Sequence, residues 1–83
     1  MRLVIYKSKR NDWGLAIVDA DLQTAVITYQ GTLHAAKIVA SKLFNQELVW
    51  HDKSGQTMIE TDHAGVFYPE QRNWIETTIT IPS

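Results

Sequence analysis

The stretch GTLHAAKIVASKLFNQE, residues 31–47, is where the periodicity of the chain changes. Leu33, Ala36, Val39, Ala40, Leu43 and Phe44 recur at three- and four-residue intervals and fall on one stripe of a helical wheel. Thr32 stands just after Gly31, where a hydroxyl can accept from the first free backbone amides. Alanine and lysine, both good helix formers, fill much of the rest. The spacing predicts one helix over about residues 32–46.

Outward from that segment the pattern is that of strands. On the N-terminal side lie RLVIY, LAIVDA and AVITYQ, three β-prone runs separated by the polar loop KSKRNDWG and the turn DLQT. They read as a meander. On the C-terminal side, LVWH and QTMIET flank DKSG, a type I turn with Asp52 first and Gly55 fourth, free to form a bulge. DHAG interrupts the second arm, VFY makes a short strand, and PEQRN is a loop opened by Pro69. In WIETTITI, Ile75, Ile79 and Ile81 share one face, and Trp74, Glu76, Thr78 and Thr80 the other, before Pro82 ends the run.

The expected architecture is α+β, a single domain over residues 1–83. It is a mostly antiparallel sheet of five to seven strands, in the order βββ-α-βββ, with the helix packed on one face. A lone helix shields one face of a sheet. The other face is expected to open to water, curl towards a partial barrel, or meet a partner.

Eighty-three residues support a single core. At 45% hydrophobic and 20% charged, the composition is that of an ordinary globular domain, yet so small a core is marginal and gains from a partner subunit. The absence of cysteine excludes disulfides and thiolate metal sites. The apolar run after Met1 is only LVIY, too short for a secretion signal or a membrane span, so a soluble cytoplasmic protein is expected. Net charge is −1, which argues against generic attraction to nucleic acid. The halves differ, however. Residues 1–42 carry six Lys/Arg against three acids, net +3, and residues 43–83 carry two against six, net −4.

His34, His51 and His63, with Asp52 and Asp62, contain the residue types of a metal or acid–base site. Across a DKSG hairpin, Asp62 would lie about five residue pairs from His51, at roughly 3.3 Å per step. Adjacent residues such as His51 and Asp52 also point to opposite faces. Surface imidazoles are therefore the preferred reading. Ser8, Ser41, Ser54 and Ser83 sit in no nucleophile elbow, and the four glycines are too scattered to cradle phosphate. The loop KSKRNDWG sets Lys7, Lys9 and Arg10 beside Trp13, and Tyr6, Tyr29, Trp50, Tyr68 and Trp74 offer further rings for base stacking. A dedicated nucleic-acid binder has a dominant basic face, which this composition does not supply.

Misplaced apolar residues are the remaining signal. Ile38 falls opposite the helical core stripe, near His34, Ser41 and Asn45, and Trp74 shares a strand face with Glu76 and threonines. Tryptophan is favoured as an interface anchor. The reading that follows is a small non-enzymatic module acting through protein–protein contacts and self-associating as a homo-oligomer. Trp74, Trp13 and Ile38 are its contact residues, with Lys9 and Arg10 as charged rim. Single-stranded nucleic-acid binding through Lys7, Lys9, Arg10 and Trp13 is the alternative. A small metal-dependent or hydrolytic enzyme using His51, Asp52, Asp62 and His63 is the third. The leading reading requires no cofactor, metal, catalytic residue or membrane.

Overall fold

Leu3, Val4, Ile5 and Tyr6 are consecutive apolar residues. In an extended strand neighbouring side chains point to opposite faces, so this run is satisfied only where both faces are covered. The computed structural model describes residues 1–8, 10–19, 24–53 and 73–79, and it puts this run at the centre of a sheet. The elements are β1 (Arg2–Lys7), β2 (Trp13–Val18), β3 (Thr24–Gln30), α1 (Leu33–Phe44), β4 (His51–Asp52) and β5 (Trp74–Thr78). Among the described residues every ladder is antiparallel, and the strand order is β3-β2-β1-β5-β4. The fold is α+β, and the described residues make a five-stranded antiparallel sheet with one helix. The first three strands form the expected meander.

The order differs from βββ-α-βββ. Among the described residues, two strands follow the helix. The runs at 56–61 and 66–68, read as strands, lie outside those residues, as does the turn beyond Lys53. Of the expected strand LVWH, only His51 is extended in a ladder, joined by Asp52. These two pair with Glu76 and Ile75 of β5.

α1 is bounded by the groups its sequence supplies. Thr32 is extended, and its hydroxyl accepts from the Ala35 amide at 3.1 Å. Asn45 adopts the left-handed conformation (φ 48°), and the amides of Asn45 and Gln46 both donate to the Ser41 carbonyl. The helix therefore stops short of residue 46. Ala36 and Ala40 are fully buried against Leu3, Ile5 and Leu15, with Leu33, Val39 and Phe44 partly buried around them. Small residues on the helix let it approach the sheet closely. Leu43, assigned to the same stripe, is instead 55% exposed. A helical wheel gives the direction of a side chain, not how far the sheet extends beneath the axis, and Leu43 lies in the last turn.

The far face of the sheet is also covered. Val4, Tyr6, Ala16, Val18 and Trp74 form a second buried cluster within the single chain. Of the three expectations for this face, those that leave it open to water or to a partner are corrected over β1, β2 and β5. Trp74 is 3% exposed, not on an outer surface. The alternation in β5 is as expected, with Ile75 and Ile79 on the helix side and Trp74 opposite. Residues that share a face with threonines and Glu76 can nonetheless be buried once that face is covered. Glu76 itself lies 3.5 Å from Arg2 and 3.6 Å from Lys53, which ties β1 and the end of β4 to β5.

A row of residues runs across four strands on this far face: Trp74, Tyr6, Gly14 and Tyr29 are successive cross-strand partners. The Tyr6 ring lies over Gly14, and a Cβ placed there would come within 2.4 Å of it. The missing side chain lets the ring cross β2, meet the Tyr29 ring edge-to-face at 6.3 Å, and donate its hydroxyl to that of Tyr29 at 2.9 Å. Gly14→Ala is expected to destabilise the fold by about 1–3 kcal/mol, through overpacking, as measured by urea unfolding. In a Tyr6→Leu background the same change costs less. An equal cost in both backgrounds would place its origin elsewhere.

Candidate functional site

The outward side of α1 carries His34, Ile38 and Lys42 in one four-residue row, with Lys37 and Ser41 in the next. The left-handed residue Asn45 reverses the chain after the helix. Leu48 and Trp50 then lie alongside it, and these seven residues line a solvent-open cleft of about 500 Å³. Leu48 and Trp50 also pack against the helix-side core, so the apolar wall of the cleft is anchored from behind. Ile38 is 41% exposed, on the outward face where the sequence places it. Among the described residues the lining includes the cations Lys37 and Lys42 and no carboxylate. Among the described residues neither lysine takes part in an ion pair. The nearest acid in sequence, Glu47, is exposed and not part of the lining.

The β1–β2 loop is the second region of interest. It is held by the Ser8 amide donating to the Asp12 carbonyl at 2.9 Å and the Asn11 amide to the Ser8 carbonyl at 3.1 Å. The buried Ser8 hydroxyl donates to the Asp12 carboxylate and accepts from the Arg10 amide. Asn11 supplies the left-handed turn (φ 66°), a conformation asparagine tolerates better than most residues. Two cations cap two rings: Lys7 lies 4.9 Å from the Trp13 ring centre, and Arg10 lies 4.0 Å from that of Tyr29. Arg10 also stands 3.8 Å from Asp12.

These two capped rings belong to opposite faces. Trp13 is half-buried against the helix-side core, whereas Tyr29 follows Gly14 on the far face. A stacking surface for single-stranded nucleic acid needs open rings on one side. Tyr6 and Trp74 are buried, Trp50 lines the cleft on the helix side, and Tyr68 lies outside the described residues. Lys9 also lies outside them, so of the basic cluster the structure places Lys7 and Arg10.

The two described imidazoles lie on different elements, α1 and β4. His34 lines the cleft, and His51 is exposed in β4. Asp62 and His63 lie outside the described residues. Among the described residues, no three His, Asp or Glu side chains are grouped to hold a metal ion. No described helix is long and apolar enough to cross a membrane. Of the expected contact residues, Ile38 and Arg10 are exposed, Trp13 is half-buried, and Trp74 is enclosed, which removes the exposure its assignment rested on. The sequence reading passed over Lys37, Lys42, Leu48 and Trp50 as a group. The available signal was a helix with two lysines and no acid.

Comparison of the chain with protein-family models, with curated proteins and with solved structures found no match.

Trp74→Ala is expected to cost about 3–5 kcal/mol, the range for removing a buried aromatic side chain. Ile38→Ala is expected to stay within about 0.5 kcal/mol, as surface changes do. Urea unfolding of the two variants tests the assignment, and similar midpoints would contradict it.

Proposed function

We propose that the protein is a small non-enzymatic interaction module that acts through protein–protein contacts and associates with itself. The observation that carries this reading is β3. It is the last strand on its side of the sheet among the described residues, and it exposes Val26, Ile27 and Tyr29. A strand in that position offers backbone donors and acceptors to an incoming strand, and apolar side chains there favour pairing over hydration.

A second copy is the occupant this surface suits. Two β3 strands related by a twofold axis run antiparallel and present the same patch to one another, which closes the assembly at a dimer. Arg10, held over Tyr29, stands at the rim of that patch. The bulge at Ile27, where Thr28 pairs with Leu15 and Val26 with Ala16, interrupts the inner ladder and sets the register available to a partner. Trp74 has no part in this contact.

Light scattering across a concentration series is expected to give twice the monomer mass at the upper end. Val26→Lys, at an exposed edge position, is expected to give a monomer with an unchanged unfolding midpoint. A monomer at every concentration would overturn the reading, and so would a dimer that survives both Val26→Lys and Ile27→Lys.

A further inference from the structure

The cleft beside α1 is separate from the β3 surface. The segment that forms its second wall runs on into β4, at the sheet edge opposite β3. We infer that this cleft binds a short, acidic, extended peptide segment of another protein, held by Lys37 and Lys42 and anchored by an apolar side chain against Ile38, Leu48 and Trp50. This goes beyond self-association and stands whether or not the chain dimerises.

Charge complementarity selects the occupant. α1 spans twelve residues without one Asp or Glu, and among the described residues the lining holds two lysines and a histidine with no opposing carboxylate. A concave surface lined by one sign of charge raises the local concentration of ligands of the other sign. Simple anions would need only the lysines. The apolar wall asks for more, because Ile38 is exposed beside the half-buried Trp50 ring, and covering them removes apolar surface from water.

Dimensions select an extended chain. From His34 to Lys42 is eight residues, about 12 Å of helix axis at roughly 1.5 Å per residue. That length takes about four residues of extended peptide at roughly 3.3 Å each. Lys37 and Lys42 stand about 7.5 Å apart along the axis and, at about 3.6 residues per turn, roughly 140° apart around it, so they border the Ile38 row on its two sides. A peptide lying along that row has an ammonium group on each flank, and carboxylates on either side of its apolar anchor can meet them. The cleft is open along one side, so the peptide can continue past it.

The probe is a fluorescein-labelled peptide, Ser-Glu-Leu-Glu-Phe-Ser, titrated into the whole protein by fluorescence anisotropy. Amide shifts are followed in parallel by NMR. Shifts centred on Ile38, Ser41, Lys42 and the Trp50 indole support the inference. So does affinity that falls as salt rises and drops about tenfold or more in a Lys37→Glu, Lys42→Glu double variant, the scale of two exposed charge pairs reversed. Both lysines lie on the outer face of the helix, and an unchanged unfolding midpoint confirms that the variant folds. Three outcomes overturn the inference. The first is no shift in the cleft at millimolar peptide. The second is equal binding of a Ser-Gln-Leu-Gln-Phe-Ser control. The third is tighter binding in the cleft by an oligothymidylate, which would make it a nucleic-acid surface. Light scattering on the same double variant separates this result from self-association, since the β3 contact leaves the lysines untouched.

Discussion

Four consecutive apolar residues in an extended strand require cover on two sides, and β1 meets that requirement by taking the middle of the sheet. Leu3 and Ile5 face the helix, and Val4 and Tyr6 face away from it. All four are at most 5% exposed. β2 and β5 flank β1 through antiparallel ladders that pair nearly every residue of it. Two apolar clusters on opposite faces of one strand make the sheet a shared wall, and stability on either side depends on the other. Full burial of such side chains contributes about 1.5–3 kcal/mol each, a large part of what a chain of this size can gather.

The far cluster is organised by a steric device. Gly14 gives up a side chain so that Tyr6 can lie across β2 and reach Tyr29. The same ring of Tyr29 is capped by Arg10 from the β1–β2 loop. Loop, hairpin and edge strand are thus linked through two tyrosines. The loop is fastened further by the buried Ser8 and its bonds to Asp12 and the Arg10 amide. Its described cations, Lys7 and Arg10, are engaged with rings and with Asp12, which makes the described part of the loop belong to the scaffold. The unoccupied cations of the described chain are those of the helix, and they stand beside apolar surface.

Much of the local structure is legible in the residues. The helix follows from the spacing of Leu33, Ala36, Ala40 and Phe44, and its start from the Thr32 hydroxyl. The three leading strands and the alternation in β5 follow from β-prone runs. The outward position of Ile38 follows from the wheel. Other features are not legible. Trp74 shares its face with threonines and a glutamate, so alternation reads that face as wet, but burial depends on what is laid over it. Leu48 and Trp50 look like a strand, and their role as the wall of a cleft depends on the reversal at Asn45. A left-handed asparagine is one of several conformations open to that residue, and packing decides among them.

The sequence by itself determined the elements whose cause is local: where the helix begins, which stripe of it is apolar, which runs are extended, and that no disulfide or thiolate site can form. Only the tertiary structure decided that β1 is central, that Trp74 is enclosed, that Gly14 makes room for Tyr6, and that Lys37, Lys42, Ile38 and Trp50 surround one cleft. The division has a physical reason. Periodicity and capping act over a few residues along the chain. Burial and the meeting of side chains across strands depend on contacts between residues far apart in sequence, such as Tyr6 with Tyr29 and Arg2 with Glu76, which no short-range pattern encodes.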